Sequence, residues 1–231
     1  MKILLTLLLT LLLIPTLASS QVLKVDADRL VRITGSIRGD IIEQAQQLEQ
    51  LTTDGKKPIY ILIGSPGGHV LPGIHFINAM KLAKARKVGL ICVVPVMAAS
   101  MAFQFLAYCD LRYVFEDTLL LFHPMKISGC MSLTSRQLRS EAKIMRMYED
   151  KLNKELLAKM KINKKVFWFH YRTETLWTAD ALAKRTHNFI IVVKNIKGVD
   201  NLFKIKKKST APWMYLLLQK SEYIPAGCQE E

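Results

Sequence analysis

Pro58-Ile59-Tyr60-Ile61-Leu62-Ile63-Gly64-Ser65-Pro66-Gly67-Gly68 is the stretch that decides the fold. From Pro58 to Ile63 it is apolar without alternation, the pattern of a strand buried on both faces of a parallel sheet. The run breaks at a double glycine, and Leu71 to Arg86 then has helical spacing. A strand that passes through Gly67-Gly68 into a helix leaves unpaired N–H groups where no Cβ blocks approach. Such a turn can hold a developing oxyanion. The same residues also fit a plain tight turn that needs glycine for its backbone alone.

Two further segments repeat the arrangement. Val88-Gly89-Leu90-Ile91-Cys92-Val93-Val94-Pro95-Val96 reads as a buried strand, followed by Ala98-Ala99-Ser100-Met101 and an apolar helix to about Tyr108. Ser100 fits two roles. It can cap the helix by accepting from a free amide, or act as a nucleophile if a base and oxyanion donors lie within reach. The amides of Gly68 and Met101 are the candidate donors. Thr118-Leu119-Leu120-Leu121-Phe122 is another apolar strand, ended by His123-Pro124. Functional groups gather outside the carboxyl ends of parallel strands, so Gly68, Ser100 and His123 are expected there together.

In that order the three segments resemble the Clp protease proteolytic subunit family, with its Ser-Pro-Gly-Gly turn, Ala-Ala-Ser-Met nucleophile turn and His-Pro base. The resemblance runs from about Leu30 to about Val193 and includes Arg32-Ile33-Thr34-Gly35-Ser36-Ile37, similar to the family's first core strand. It implies an α/β fold, the Clp protease or crotonase-like superfold of repeated β-β-α units with a protruding handle helix, here from about Leu133 to Met160. It also implies a serine peptidase with Ser100 as nucleophile, His123 as general base and the amides of Gly68 and Met101 as the oxyanion hole.

The third triad member stays open between two carboxylates. Matching Trp177-Thr178-Ala179 to the family's helix start puts Glu174 in the place of its aspartate, and a glutamate can orient an imidazole. Asp180 is the alternative, although it falls where a helix N-terminus favours an acid. If neither reaches His123, the site is a dyad or the protein a catalytically silent scaffold that binds peptides or assembles at a membrane. Signal-peptide-peptidase-like relatives use a lysine base instead, for which Lys126 and Lys143 are the candidates. Crotonase-like acyl-CoA enzymes would not need a Ser100–His123 pair.

The ends of the chain set its context. Of 231 residues, Lys2, the apolar run Ile3 to Ile14 and Pro15-Thr16-Leu17-Ala18-Ser19-Ser20 read as a secretory signal peptide. The expected organisation is a leader over 1–20, a catalytic domain over 21–195 and a basic and apolar C-terminal extension over 196–231. The protein is therefore expected to be exported, periplasmic or secreted, with membrane association a further option. Export removes it from ATP, and the short segment before the first core strand leaves little room for the family's axial loops. Both argue against an ATPase partner. The expected substrate is a peptide or an unfolded protein.

The net charge of +14 falls mainly after Lys143, and Lys204-Ile205-Lys206-Lys207-Lys208 precedes an aromatic-apolar run at Trp213 to Leu218. That pattern fits an anionic membrane surface as well as a solvated face. No recognition motif for nucleic acid accompanies the charge. Glu141 to Met160 has amphipathic spacing, and the resemblance implies that its apolar face pairs with another copy, making a homo-oligomer. Cys92 reads as a small core residue. Cys109, Cys130 and Cys228 are free to pair, but spacing defines no framework. The histidines show no metal-ligand spacing, and no cofactor is indicated.

Overall fold

The computed structural model describes residues 26–53, 55, 57–127 and 132–193, so the leader and the C-terminal extension lie outside it. The strands are β1 (Leu30–Thr34), β2 (Ile59–Gly64), β3 (Leu90–Val94), β4 (Met97–Ala99), β5 (Leu111–Phe115), β6 (Leu119–Leu121), β7 (Leu176–Thr178) and β8 (Ile191–Val193). Six helices accompany them among the described residues: α1 (Ile41–Leu51), α2 (Val70–Ala85), α3 (Met101–Phe105), α4 (Ser135–Met160), α5 (Lys164–Arg172) and α6 (Ala179–Arg185).

The main sheet has the order β1-β2-β3-β5-β8 and is parallel throughout. Every residue of β3 and all but one of β2 is buried, as expected of unbroken apolar runs with both faces covered. A second, smaller sheet joins β4 to β6 in parallel and β6 to β7 antiparallel. Isolated bridges Ile37–Gly68 and Ser65–Ala98 extend this second layer toward β1 and β2. β1, β2, β3 and β5 thus each run on into a short second-layer segment before the next helix. Those are the repeated β-β-α units of an α/β protein of the Clp protease and crotonase-like type.

The sequence pattern placed Ser100 directly after the strand that is now β3. The structure inserts β4 between them, so the serine follows a strand of the second sheet. His123 follows β6 of that same sheet, whereas Gly68 lies past the end of β2 in the main one.

The main core cluster is centred on Phe76, Phe103, Phe105, Phe122, Phe167 and Phe189, and a smaller one of Leu30, Leu62 and Val93 lies on the other face of the main sheet's strands. Phe122, the residue before His123, stacks on Phe103 at 5.2 Å and on Phe167 at 5.1 Å between ring centroids. Helix α3 is buried at all five of its residues. Gly73 of α2 meets the Met101 side chain where a Cβ would stand. Helix α4 opens with a capping box, in which Thr134 Oγ1 accepts from the Gln137 amide and Gln137 Oε1 accepts from the Thr134 amide at 2.9 Å. Only its C-terminal part, with Leu152, Asn153, Leu156 and Met160, is buried. The rest projects from the domain as the expected handle.

Cys92 is buried as expected, but it is not a free thiol. It is disulfide-bonded to Cys109, with Cα atoms 5.8 Å apart. The parallel register sets Cys92 opposite Arg112, which brings the turn before β5 back to β3. Cys130 and Cys228 lie outside the described residues.

Candidate active site

Ser100 directly follows β4 with φ +55° and ψ −124°, a backbone that residues with a side chain rarely adopt. No side-chain cap bond forms there, so the capping role is not the one the serine plays. The strand-to-helix turn is pinned from both sides. The Ser100 amide donates to the Leu121 carbonyl at 2.8 Å, and the Ser100 carbonyl accepts from Phe103 at 3.1 Å. A serine held on a strained strand-to-helix turn presents its hydroxyl at the end of the sheet.

The double glycine abuts this turn. The Ser65 amide donates to the Met97 carbonyl and the Ala99 amide to the Ser65 carbonyl, tying the end of β2 to β4. A Cβ on Gly67 would lie 2.5 Å from Ser100 Cβ and 3.0 Å from the Met101 nitrogen, and its φ is +94°. Gly67 therefore has to be glycine for the two turns to meet. On its other side Ile37 donates to the Gly67 carbonyl at 2.7 Å and accepts from His69 at 2.9 Å. In a parallel bridge of this kind the amide of the intervening residue, Gly68, faces away from Ile37. The Met101 amide is the first of α3 and has no intrahelical acceptor. The structure thus brings Gly68, Ser100 and Met101 together. The role of Gly67 was not legible in the sequence, because a double glycine is equally consistent with an ordinary turn.

His123 leaves β6 two residues after Leu121, whose carbonyl holds the Ser100 amide. Its Nδ1 lies 2.6 Å from the Pro124 carbonyl. A carbonyl only accepts, so Nδ1 carries the proton, and in the neutral ring Nε2 is left with the lone pair. That is the tautomer a general base needs. Among the described residues, neither Ser100 Oγ nor His123 Nε2 has a hydrogen-bond partner.

The two candidate carboxylates lie at opposite ends of β7. The antiparallel register pairs Leu119 with Thr178 and Leu121 with Leu176. The pairing ends at Leu121–Leu176, so His123 and Glu174 both lie just beyond the same end of the ladder, while Asp180 falls in the first turn of α6 beyond the far end. Glu174 occupies a left-handed turn, φ +49°, and pairs with Lys126 at 2.9 Å. The hydrogen bond from Lys126 holds its carboxyl below the usual value, and the charges of Lys126 and His123 add to this. The loop after His123 is fastened to the handle helix. Glu149 accepts from the Met125 amide at 2.7 Å and from the Tyr171 hydroxyl at 2.8 Å. No sequence signal marked Glu149, one of many charges on an amphipathic helix.

Away from this site, a groove of about 1160 Å³ is lined by Lys164, Lys165, Trp168, Phe169, Arg172 and Arg185, among others. It contains none of the residues named from the sequence as catalytic.

Parallel β-β-α units with the ends of two sheets brought against one double-glycine turn define the Clp protease and crotonase-like class of α/β proteins. Within that class the chain belongs to the Clp protease family, whose model matches residues 17–181. Family membership makes it a protease-type hydrolase in general terms. No curated protein matches the chain.

Proposed function

We propose that the protein is a serine peptidase that cleaves peptides or unfolded chains through an acyl-enzyme, without an ATPase partner. The observation that carries this reading is Ser100 itself, a non-glycine residue at φ +55° beside the Gly67-Gly68 turn and free of any capping bond. His123 Nε2 takes the Ser100 proton as Oγ attacks the peptide carbonyl. The amides of Gly68 and Met101 receive the oxyanion. The imidazolium then protonates the leaving amine, and water resolves the ester with the roles reversed.

Glu174, at the same end of the β6–β7 pairing as His123, is the better third member than Asp180, which sits across the length of β7. Lys126 is bonded to Glu174, which favours the histidine over a lysine base. Export is part of the same reading. A buried disulfide next to the nucleophile helix supports folding in an oxidising compartment, and the leader over 1–20 supports the route. We assign the domain to 21–195 and propose a homo-oligomer through the handle helix. The cationic groove over α5, with its exposed Phe169, supports contact with an anionic membrane surface.

The test is hydrolysis of fluorescently labelled unfolded casein by the purified protein without nucleotide. Wild type is expected to release fluorescence, and Ser100→Ala to fall to background. Equal release by Ser100→Ala, or none by wild type, contradicts the assignment.

A further inference from the structure

We propose that Lys126 is a positioning residue that competes with His123 for the Glu174 carboxylate, and so sets how strongly the Ser100–His123 pair works. This inference rests on the serine-peptidase reading above. Lys126 lies three residues beyond His123 on the loop leaving β6, and Glu174 sits in the turn entering β7. The β6–β7 pairing ends at Leu121–Leu176, so the two turns leave the same end of the ladder, and the His123 charge acts on the Glu174 carboxylate. One carboxylate thus has two claimants.

In this structure Lys126 Nζ holds Glu174 Oε2 at 2.9 Å, while His123 Nδ1 donates to the Pro124 carbonyl at 2.6 Å. The imidazole is therefore supported by a neutral acceptor, which stabilises a developing imidazolium less than a carboxylate does. Releasing Glu174 from Lys126 makes the carboxylate available to Nδ1. A glutamate, with one methylene more than aspartate, has the rotamer freedom to serve either partner.

The restraint is a light one. The side chains of Lys126 and Glu174 are 61% and 40% exposed, and an exposed pair is weak and screened by salt. A pair of that strength corresponds to roughly a two- to five-fold change in rate. Lys126 accordingly tunes the site and does not abolish it.

The experiment follows the rate at which the full chain is labelled on Ser100 by a fluorophosphonate. Lys126→Met is expected to label about two- to five-fold faster than wild type, and Lys126→Arg at the wild-type rate. Added sodium chloride should accelerate wild type and leave Lys126→Met unchanged. In a Glu174→Gln background, Lys126→Met should have no effect, an outcome that a purely structural role for Lys126 does not produce. The proposal is overturned if Lys126→Met labels no faster than wild type, or if its gain persists in the Glu174→Gln background. Labelling of wild type with no response to Lys126 removes the competition and leaves the peptidase reading standing. Absence of labelling in every variant removes both.

Discussion

A serine at φ +55° costs on the order of 1–3 kcal/mol of backbone strain, tolerated only where the surroundings over-determine it. Here those surroundings are the Leu121 carbonyl on one side and Gly67 on the other. Gly67→Ala is therefore expected to displace the nucleophile turn. A misplacement of about 1 Å at a reacting group typically costs about 10²-fold in rate. Peptide hydrolysis should fall by about that factor, with the far-ultraviolet circular dichroism of wild type retained; a fully active Gly67→Ala protein contradicts this account of the turn. The candidate residues were legible in the sequence because the proposed chemistry demands their types. Ser100, His123 and the glycine pair each end an apolar run. The part played by Gly67 was not legible, because its closeness to Ser100 arises from the Ser65–Ala98 bridge between distant segments.

At the scale of elements, the long apolar runs announced β2 and β3, and helical spacing announced the helix after the double glycine. The short strand β4 did not announce itself, since Met97-Ala98-Ala99 is too brief to show a period. Its absence from the sequence reading attached Ser100 to the wrong sheet while leaving its strand-end position correct. Arg112 of β5 was equally unreadable, because a charged residue in a strand normally marks an exposed face. Here the guanidinium is buried. It donates to the carbonyls of Leu106 and Cys109, and to that of Phe189 at 3.2 Å. Burial pushes its pKa down to about 10, against a smaller opposing pull from Asp110. It closes the C-terminal end of the segment that begins at Ser100. Arg112→Met strips buried carbonyls of their donor, each costing about 1–3 kcal/mol. Urea unfolding should show a loss of about 3 kcal/mol at unchanged m-value; a midpoint within error of wild type contradicts this role for Arg112.

At the scale of the whole molecule, the handle helix has little to bury in its own domain. Leu138 is 52% and Met147 57% exposed on the part of α4 that projects. Its amphipathic spacing was plain in the sequence, but spacing alone does not say whether the apolar face packs within the domain or on another copy. The structure shows that only the C-terminal part packs within. The double variant Leu138→Glu, Met147→Glu is accordingly expected to sediment as a smaller species than wild type in analytical ultracentrifugation. Sedimentation identical to wild type removes the handle as the assembly surface. The handle also touches the site, through Gln104 Nε2 bonded to Asn153 Oδ1 at 3.3 Å and through Glu149 beneath the histidine loop. The proposed assembly helix thus lies against the proposed site. We infer that Ser100 is a nucleophile activated by His123. Intact mass and peptide mapping after fluorophosphonate exposure test it most directly. A single adduct on Ser100, absent from Ser100→Ala and lost from His123→Ala, is the predicted result; an unlabelled wild type, or labelling that survives His123→Ala unchanged, contradicts it.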